Sequence, residues 1–274
     1  MKITFIVPIK GAADLERARA ALLPSFCKFF RLEDLHEFIL FTPEAEIEAV
    51  KETLFFDPAL DAIKYKLTFI EDEYLRSFFH IQYTADYNNQ MLLKLLAHEL
   101  IATDIYGVCD ADCYLVAPCG SAELAPGGRC LRNFAPQHIH AEWWAAAREV
   151  LDYRAPYGDS VFGVTPALLY KKISYELVKY METKNILDDT LCIWKNVTEY
   201  TLYWTWILKH HQPAEFYHEH GTPELSGDCA WSAAGAPHLP EIVERQFSRR
   251  GYYFSLLQSN TGIMPPDYLT RRFL

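Results

Sequence analysis

Two aspartates, Asp110 and Asp112, lie one residue apart directly after a short apolar run, residues 105–109. Such a run between charged residues is typical of a buried strand, and carboxylates are rarely buried unless they are paired or bind a metal. Hard divalent cations that keep water ligands and hold a substrate diphosphate favour this arrangement of oxygens. The pattern therefore indicates a metal and diphosphate site at a strand end. An acidic turn between two strands is the alternative.

Strand–helix units precede the aspartates and would position them. Strands are predicted at residues 2–9, 37–41 and 66–70, and a helix at residues 84–101 leads into the strand at 105–109. This alternation predicts a doubly wound, mostly parallel α/β sheet. In such sheets, ligands bind beyond the carboxyl ends of the strands, which is where the two aspartates lie.

The second half of the chain has a less regular pattern. A helix is predicted at residues 141–151, a long amphipathic helix from Pro166, and another helix from Asn196. Residues 210–240 are rich in Pro, Gly and His, which predicts a long functional loop. Because no internal repeat or linker interrupts the sequence, residues 1–274 are predicted to form one domain.

Composition excludes several classes of protein. The formal net charge of −10 argues against a general nucleic-acid-binding protein. The first apolar run, residues 3–7, is too short for a signal peptide, and no run is long enough to span a bilayer. Seven cysteines without a secretion signal favour reduced thiols in a cytoplasmic protein. Basic residues near the C-terminus leave at most a peripheral membrane association open.

Several motifs resemble those of the GT-A class of nucleotide-diphospho-sugar glycosyltransferases. The shared features are the first strand ending in Phe-Ile-Val-Pro, the three α/β units and the D-x-D motif after the fourth strand. Local stretches are also similar to a bacterial GT-A-like family whose function was long unassigned. These stretches are residues 90–94 ahead of 109–113, residues 197–203 and residues 254–259. The resemblance covers most of the chain and implies a GT-A, Rossmann-like fold.

The resemblance also implies a donor site. Asp110 and Asp112 would hold Mn²⁺ or Mg²⁺ against the two phosphates of a nucleotide-diphospho-sugar, with a UDP-sugar as the expected donor. Lys94 would add positive charge near the diphosphate or ribose, although a solvated helix lysine is the alternative. Three further residues are candidates for donor binding. Gln90 shares a helix face with Lys94, and Gln258 and Ser259 would act as neutral donors to phosphate or sugar oxygens.

Two further residues are candidates for catalysis and metal binding. Glu199 stands where a helix begins, as the general base does in inverting GT-A enzymes. Its alternative is a first-turn glutamate that interacts with the helix dipole. His218 is the candidate third metal ligand, and a surface histidine is its alternative.

We therefore predict a metal-dependent glycosyltransferase. Residues 1–118 would bind the nucleotide-sugar and residues 119–274 a glycan or lipid-linked glycan acceptor, with bacterial surface polysaccharide synthesis as the expected context. A non-catalytic GT-A-like binding or scaffold protein is one alternative. A sugar-phosphate nucleotidyltransferase is another, although the turn after the first strand, residues 8–12, has only one glycine and one lysine.

Overall fold

The structure is a computed structural model of the chain, and it describes residues 1–81, 86–187, 197–219, 223–230, 237–259 and 262–274. For residues 86–89 it describes the backbone alone. The strands are β1 Ile3–Pro8, β2 Leu35–Thr42, β3 Leu67–Glu71, β4 Ile105–Val108, β5 Cys113–Leu115, β6 Phe134–Pro136, β7 Ser160–Phe162, β8 Ala167–Tyr170, β9 Glu224–Ser226 and β10 Tyr252–Leu256.

The α-helices alternate with these strands in the first half. They are α1 Gly11–Arg17, α2 Leu23–Phe29, α3 Ile47–Phe55, α4 Asp72–Phe78, α5 Asp86–Leu96, α6 Ser121–Leu124, α7 Ala141–Val150, α8 Lys171–Thr183, α9 Glu199–His210, α10 Pro213–Phe216, α11 Leu239–Ser248 and α12 Asp267–Thr270. A π-helical turn, Ala18–Leu22, joins α1 to α2.

The main sheet has the order β3-β2-β1-β4-β8. Its first four strands are parallel, and β8 pairs antiparallel with β4. This arrangement confirms the predicted mostly parallel sheet. All six residues of β1 are buried, as expected of a strand covered on both faces.

One part of the second half differs from the prediction. The helix expected from Pro166 begins only at Lys171, because residues 167–170 form β8 and pair with β4. A short apolar run is compatible with either a strand or a buried helix. Here the run forms a strand, because it pairs with the edge of β4. The predicted loop at 210–240 contains α10 and β9 among its described residues.

A small second sheet brings the C-terminal region to the D-x-D motif. Strand β10 pairs antiparallel with β5, which follows the aspartates, and parallel with β9. The residue after β10, Leu257, donates its N–H to the carbonyl of Asp112 at 3.2 Å. Residues 257–259 are therefore held beside the end of β4.

None of the described helices is long and apolar enough to cross a membrane. The described cysteines are all free thiols, as the composition predicted: Cys27, Cys109, Cys113, Cys119, Cys130 and Cys229.

Packing across β1 and β4 requires a glycine at position 107. A Cβ at Gly107 would overlap the ring of Phe5, which is buried against Phe26 and Phe38. Gly107→Ala is expected to lower the free energy of unfolding by about 2 kcal/mol, because the core must shift to admit the methyl group. Urea denaturation measures this change.

Gly158→Ala is the matched control. A Cβ there would meet nothing closer than the Ser160 carbonyl at 4.0 Å, so the expected change is within about 0.5 kcal/mol. Equal effects of the two substitutions would contradict the packing argument at Gly107.

Candidate functional site

Three elements meet at the carboxyl end of β4. Asp110 follows that strand, Lys94 lies near the end of α5, and Glu199 is the first residue of α9. The helix α5 is tied to β4 by Tyr106, whose hydroxyl donates to the Lys94 carbonyl at 2.9 Å. The start of α9 is fixed by Thr198, whose hydroxyl accepts the N–H of Thr201 at 3.2 Å.

The side chains of these three residues form a charge cluster. Lys94 Nζ lies 2.8 Å from Asp110 Oδ1 and 3.1 Å from Glu199 Oε1. The ammonium also lies 5.6 Å from the centre of the Tyr200 ring. Lys94 is 5% exposed and Glu199 only 2%. Lys94 is therefore not a solvated helix lysine, and the alternative interpretation of this residue is wrong.

The carboxylates keep Lys94 charged despite its burial. Burial alone would lower the pKa of its ammonium, but the charges of Asp110 and Glu199 raise that pKa well above the ordinary value. For Glu199, burial raises the pKa and the nearby Lys94 ammonium opposes the rise. The cluster thus contains a permanent cation between two acids.

Asp112 has a different environment from Asp110. Asp112 is 6% exposed, and its Oδ2 accepts the N–H of Ser259 at 2.6 Å. Its Oδ1 is buried and has no hydrogen-bond partner among the residues that the structure describes. Burial and the neighbouring charge of Asp110 raise the pKa of Asp112 to about 7. A buried oxygen without a partner is costly, so Asp112 Oδ1 is a candidate position for contact with a ligand.

The two aspartates fit a hard cation that takes its other ligands from substrate and water. The Asp110 side chain is 35% exposed, and the unpartnered Asp112 oxygen is an oxygen donor of the kind that Mg²⁺ prefers. No group of three or more His, Cys, Asp or Glu side chains in the described ranges is arranged to hold a metal. Within the described ranges, the two aspartates are therefore the candidate protein ligands of such a cation.

His218 does not complete a three-ligand site with these aspartates in the part of the chain that the structure describes. The ring Nε2 of His218 lies 2.9 Å from the carbonyl of Pro126, and the main-chain N–H of His218 donates to the carbonyl of Cys130. The histidine is thus engaged with main-chain groups of the second half of the chain. The expected metal role of His218 has no geometric support.

The three candidate donor-binding residues occupy different positions. Gln90 lines a cleft beyond the ends of β1 and β2, together with Lys10, Pro43 and Asp72. Ser259 contacts Asp112 through its main-chain N–H. The main chain of Gln258 donates to the Ala230 carbonyl at 2.9 Å.

Sequence reasoning missed Arg17 as a member of this region. Arg17 is 6% exposed, and its guanidinium donates to Asp14 Oδ1 at 3.3 Å and to the Ser259 carbonyl at 3.4 Å. Ser259 is therefore held from both sides, by Asp112 and by Arg17. The i, i+3 spacing of Asp14 and Arg17 predicts only a local helix pair, and nothing local links residue 17 to residue 259.

Comparison with known proteins decides the family. The sequence profile of DUF6492, described as a family of unknown function, matches residues 1–271. The chain belongs to the DUF6492 family. No curated protein matches this DUF6492 sequence.

Solved structures show the fold of this DUF6492 protein. Mouse xyloside xylosyltransferase 1, in its apo form, is 13% identical with a TM-score of 0.55, and the match covers 96% of this chain and 100% of that one. The bifunctional glycosyltransferase WbbM is 11% identical with a TM-score of 0.53, over 93% of this chain and 45% of WbbM. An active-site mutant of LgtC is 11% identical with a TM-score of 0.50, over 99% and 94%. The chain has a GT-A glycosyltransferase fold.

The buried ammonium makes a testable contribution to stability. Lys94→Met is expected to lower the free energy of unfolding by about 3 kcal/mol, because it leaves the buried Glu199 carboxylate without its cation. Adding Glu199→Gln to Lys94→Met should restore part of the loss, since the uncompensated charge is then removed. A double-mutant cycle in urea measures both changes.

Lys179→Met is the matched control on α8. Lys179 lies 3.2 Å from Glu182 on the exposed surface, where removing an ion pair costs less than about 1 kcal/mol. If Lys94→Met costs no more than Lys179→Met, the buried cluster does not carry the stability assigned to it.

Proposed function

We propose that this protein is a metal-dependent glycosyltransferase that moves a sugar from a nucleotide-diphospho-sugar to a glycan or lipid-linked glycan acceptor. The observation that carries the proposal is the buried oxygen of Asp112, which has no partner within the described ranges, beside the partly exposed Asp110 at the carboxyl end of a central strand. A GT-A fold supports it, because ligands of open α/β sheets bind at that edge.

Asp110 and Asp112 would hold Mn²⁺ or Mg²⁺ in the presence of the donor. The bound cation would neutralise negative charge that develops on the nucleoside diphosphate as the sugar leaves. Lys94 provides a second, permanent positive charge next to Asp110. Gln90 lines the cleft beyond β1 and β2, and we propose that it contacts the nucleoside of the donor, for which uridine is our expectation.

Glu199 is the proposed general base. Burial raises the pKa of this carboxylate and so makes it a stronger base, while Lys94 at 3.1 Å restrains that increase. Direct removal of the acceptor proton by Glu199 would accompany inversion at the anomeric carbon. Residues 119–274 would supply the acceptor site, and we propose bacterial surface polysaccharide synthesis as the setting.

Donor binding gives the first test. UDP, GDP and CMP are titrated calorimetrically into the protein with Mn²⁺ or with EDTA. We expect UDP to bind with Mn²⁺ and to lose at least tenfold in affinity with EDTA or in Asp112→Asn, because a charged ligand to the cation is lost. Asp104→Asn is the control, since Asp104 is exposed just before β4, at the other end of the strand.

Other outcomes of this titration separate the alternatives. Binding of CMP without metal would point to a different donor class and leave the aspartates unexplained. If no nucleotide binds the folded protein under any condition, the protein is better described as a GT-A-like scaffold. A nucleotidyltransferase would release pyrophosphate from a nucleoside triphosphate and a sugar phosphate, which a coupled phosphate assay detects.

Catalysis by Glu199 gives a separate test. Glu199→Gln is expected to lower the rate of nucleotide release from the bound donor by about 10²–10⁴-fold, because the amide cannot accept the proton. The affinity for UDP should stay unchanged. NMR of the product then reports the anomeric configuration, for which we expect inversion.

Glu182→Gln, an exposed change on α8, is the control for this measurement. A Glu199→Gln variant that keeps at least half of the rate would show that Glu199 is not the base. Its role would then be to pair with Lys94.

A further inference from the structure

A second buried cation, Arg132, lies in the C-terminal half of the chain. Arg132 is 8% exposed. The other buried Lys and Arg side chains in the described ranges each contact a carboxylate: Arg17 contacts Asp14, Arg76 contacts Glu73, and Lys94 contacts two acids. Arg132 makes no ion pair with any described residue. Buried charges are normally paired, so this exception requires an explanation.

Aromatic rings and one carbonyl hold the guanidinium in place. Its central carbon lies 3.9 Å from the centre of the Phe134 ring and 4.5 Å from that of Trp204. Nη1 donates to the carbonyl of Val161 at 3.0 Å. Nε is buried and has no hydrogen-bond partner in the part of the chain that the structure describes. The aromatic contacts orient the planar group but leave this N–H donor unsatisfied.

The group remains a cation at neutral pH. Burial lowers the pKa of Arg132 to about 10, and the negative charge of Glu224 opposes that change. An arginine with a pKa near this value is protonated at pH 7, so it presents a full positive charge in a protein whose formal net charge is −10.

The surrounding backbone is fixed by the next residue, Asn133. Its amide donates to the carbonyls of Val164 and Pro166 at 3.0 and 2.8 Å, and its oxygen accepts the N–H of Ser226 at 2.7 Å. The guanidinium is therefore presented by a rigid frame, which lowers the entropic cost of binding a ligand.

This frame is connected to the candidate active site. Thr165 lies between the two carbonyls that Asn133 binds, and its hydroxyl accepts the N–H of Asp110 at 3.2 Å. Trp204, which stacks on Arg132, belongs to the helix α9 that begins with Glu199. The buried cation thus lies in the half of the chain proposed to bind the acceptor. It contacts the same helix, α9, whose first residue is the proposed base Glu199.

We propose that Arg132 binds an anionic oxygen group of the acceptor, a carboxylate or a phosphate. The guanidinium matches such groups because it offers parallel N–H donors in one plane. The proposal rests on the proposed glycosyltransferase function for the identity of the ligand as an acceptor. The presence of an anion site at Arg132 is independent of it.

The test uses three small probes on the full-length protein: methyl glucuronide as a carboxylate, inorganic phosphate, and methyl glucoside as the neutral match. Binding is followed by NMR through the tryptophan indole signals, because Trp204 stacks on Arg132. We expect the wild type to bind at least one anionic probe about tenfold more tightly than the neutral one. Arg132→Gln should remove that preference, since a hydrogen bond to a charged group is lost.

Controls separate the anion site from folding and from the donor site. Arg129→Gln is the matched control, since Arg129 is exposed and also donates to a carbonyl, that of Ala214 at 3.3 Å. Its anion binding should equal that of the wild type. If Arg132→Gln does not fold, Arg132→Lys is measured instead, because it keeps the charge but lacks the planar pair of N–H donors. A weaker preference for anions in Arg132→Lys supports the proposal, and an unchanged preference overturns it.

Each remaining outcome has a defined meaning. Equal binding of anionic and neutral probes by the wild type, or full anion binding by Arg132→Gln, overturns the proposal. Glucuronide binding without phosphate binding assigns a carboxylate, and the reverse assigns a phosphate. If the wild type does not bind UDP, the proposed function is wrong, but an anion site that depends on Arg132 is not affected by that result.

Discussion

The buried ammonium of Lys94 is the interaction on which the site depends. Taking a lysine out of water is costly, and here two carboxylates from other parts of the chain offset that cost. The contacts fix the end of α5, the end of β4 and the start of α9 relative to one another. Because the buried charges of Lys94 and Glu199 compensate each other and Lys94 also pairs with Asp110, both acids are held beside one ammonium by electrostatics as well as by the sheet.

The two aspartates of the D-x-D motif have separate environments as a result. Asp110 is paired with Lys94 and partly exposed, whereas Asp112 is buried against Ser259, with one oxygen that no described residue satisfies. The second sheet creates this difference, since β10 runs beside β5 and brings the N–H of Ser259 to Asp112. Arg17 supports the same segment from α1. Two identical residues can therefore contribute differently to one ligand site.

Similarity of fold does not by itself assign the chemistry. The solved glycosyltransferases that share this fold are 11–13% identical to the chain, and one fold supports many functions. The functional proposal therefore rests on local chemistry at the edge of the main sheet: an Asp112 oxygen without a hydrogen-bond partner among the described residues, and a cation between two acids. The guanidinium of Arg132, in the other half of the chain, is the basis of the separate inference about the acceptor.

The sequence by itself determined the elements of the first half and the position of Asp110 and Asp112 at a strand end. Local periodicity and capping fix such features, because they depend on residues within a few positions of each other. Only the tertiary structure decided that Lys94 is buried between acids, that the run after Pro166 is a strand, and that Arg132 has no acidic partner among the described residues. Those outcomes depend on desolvation and on contacts between residues far apart in the chain, which no local pattern encodes.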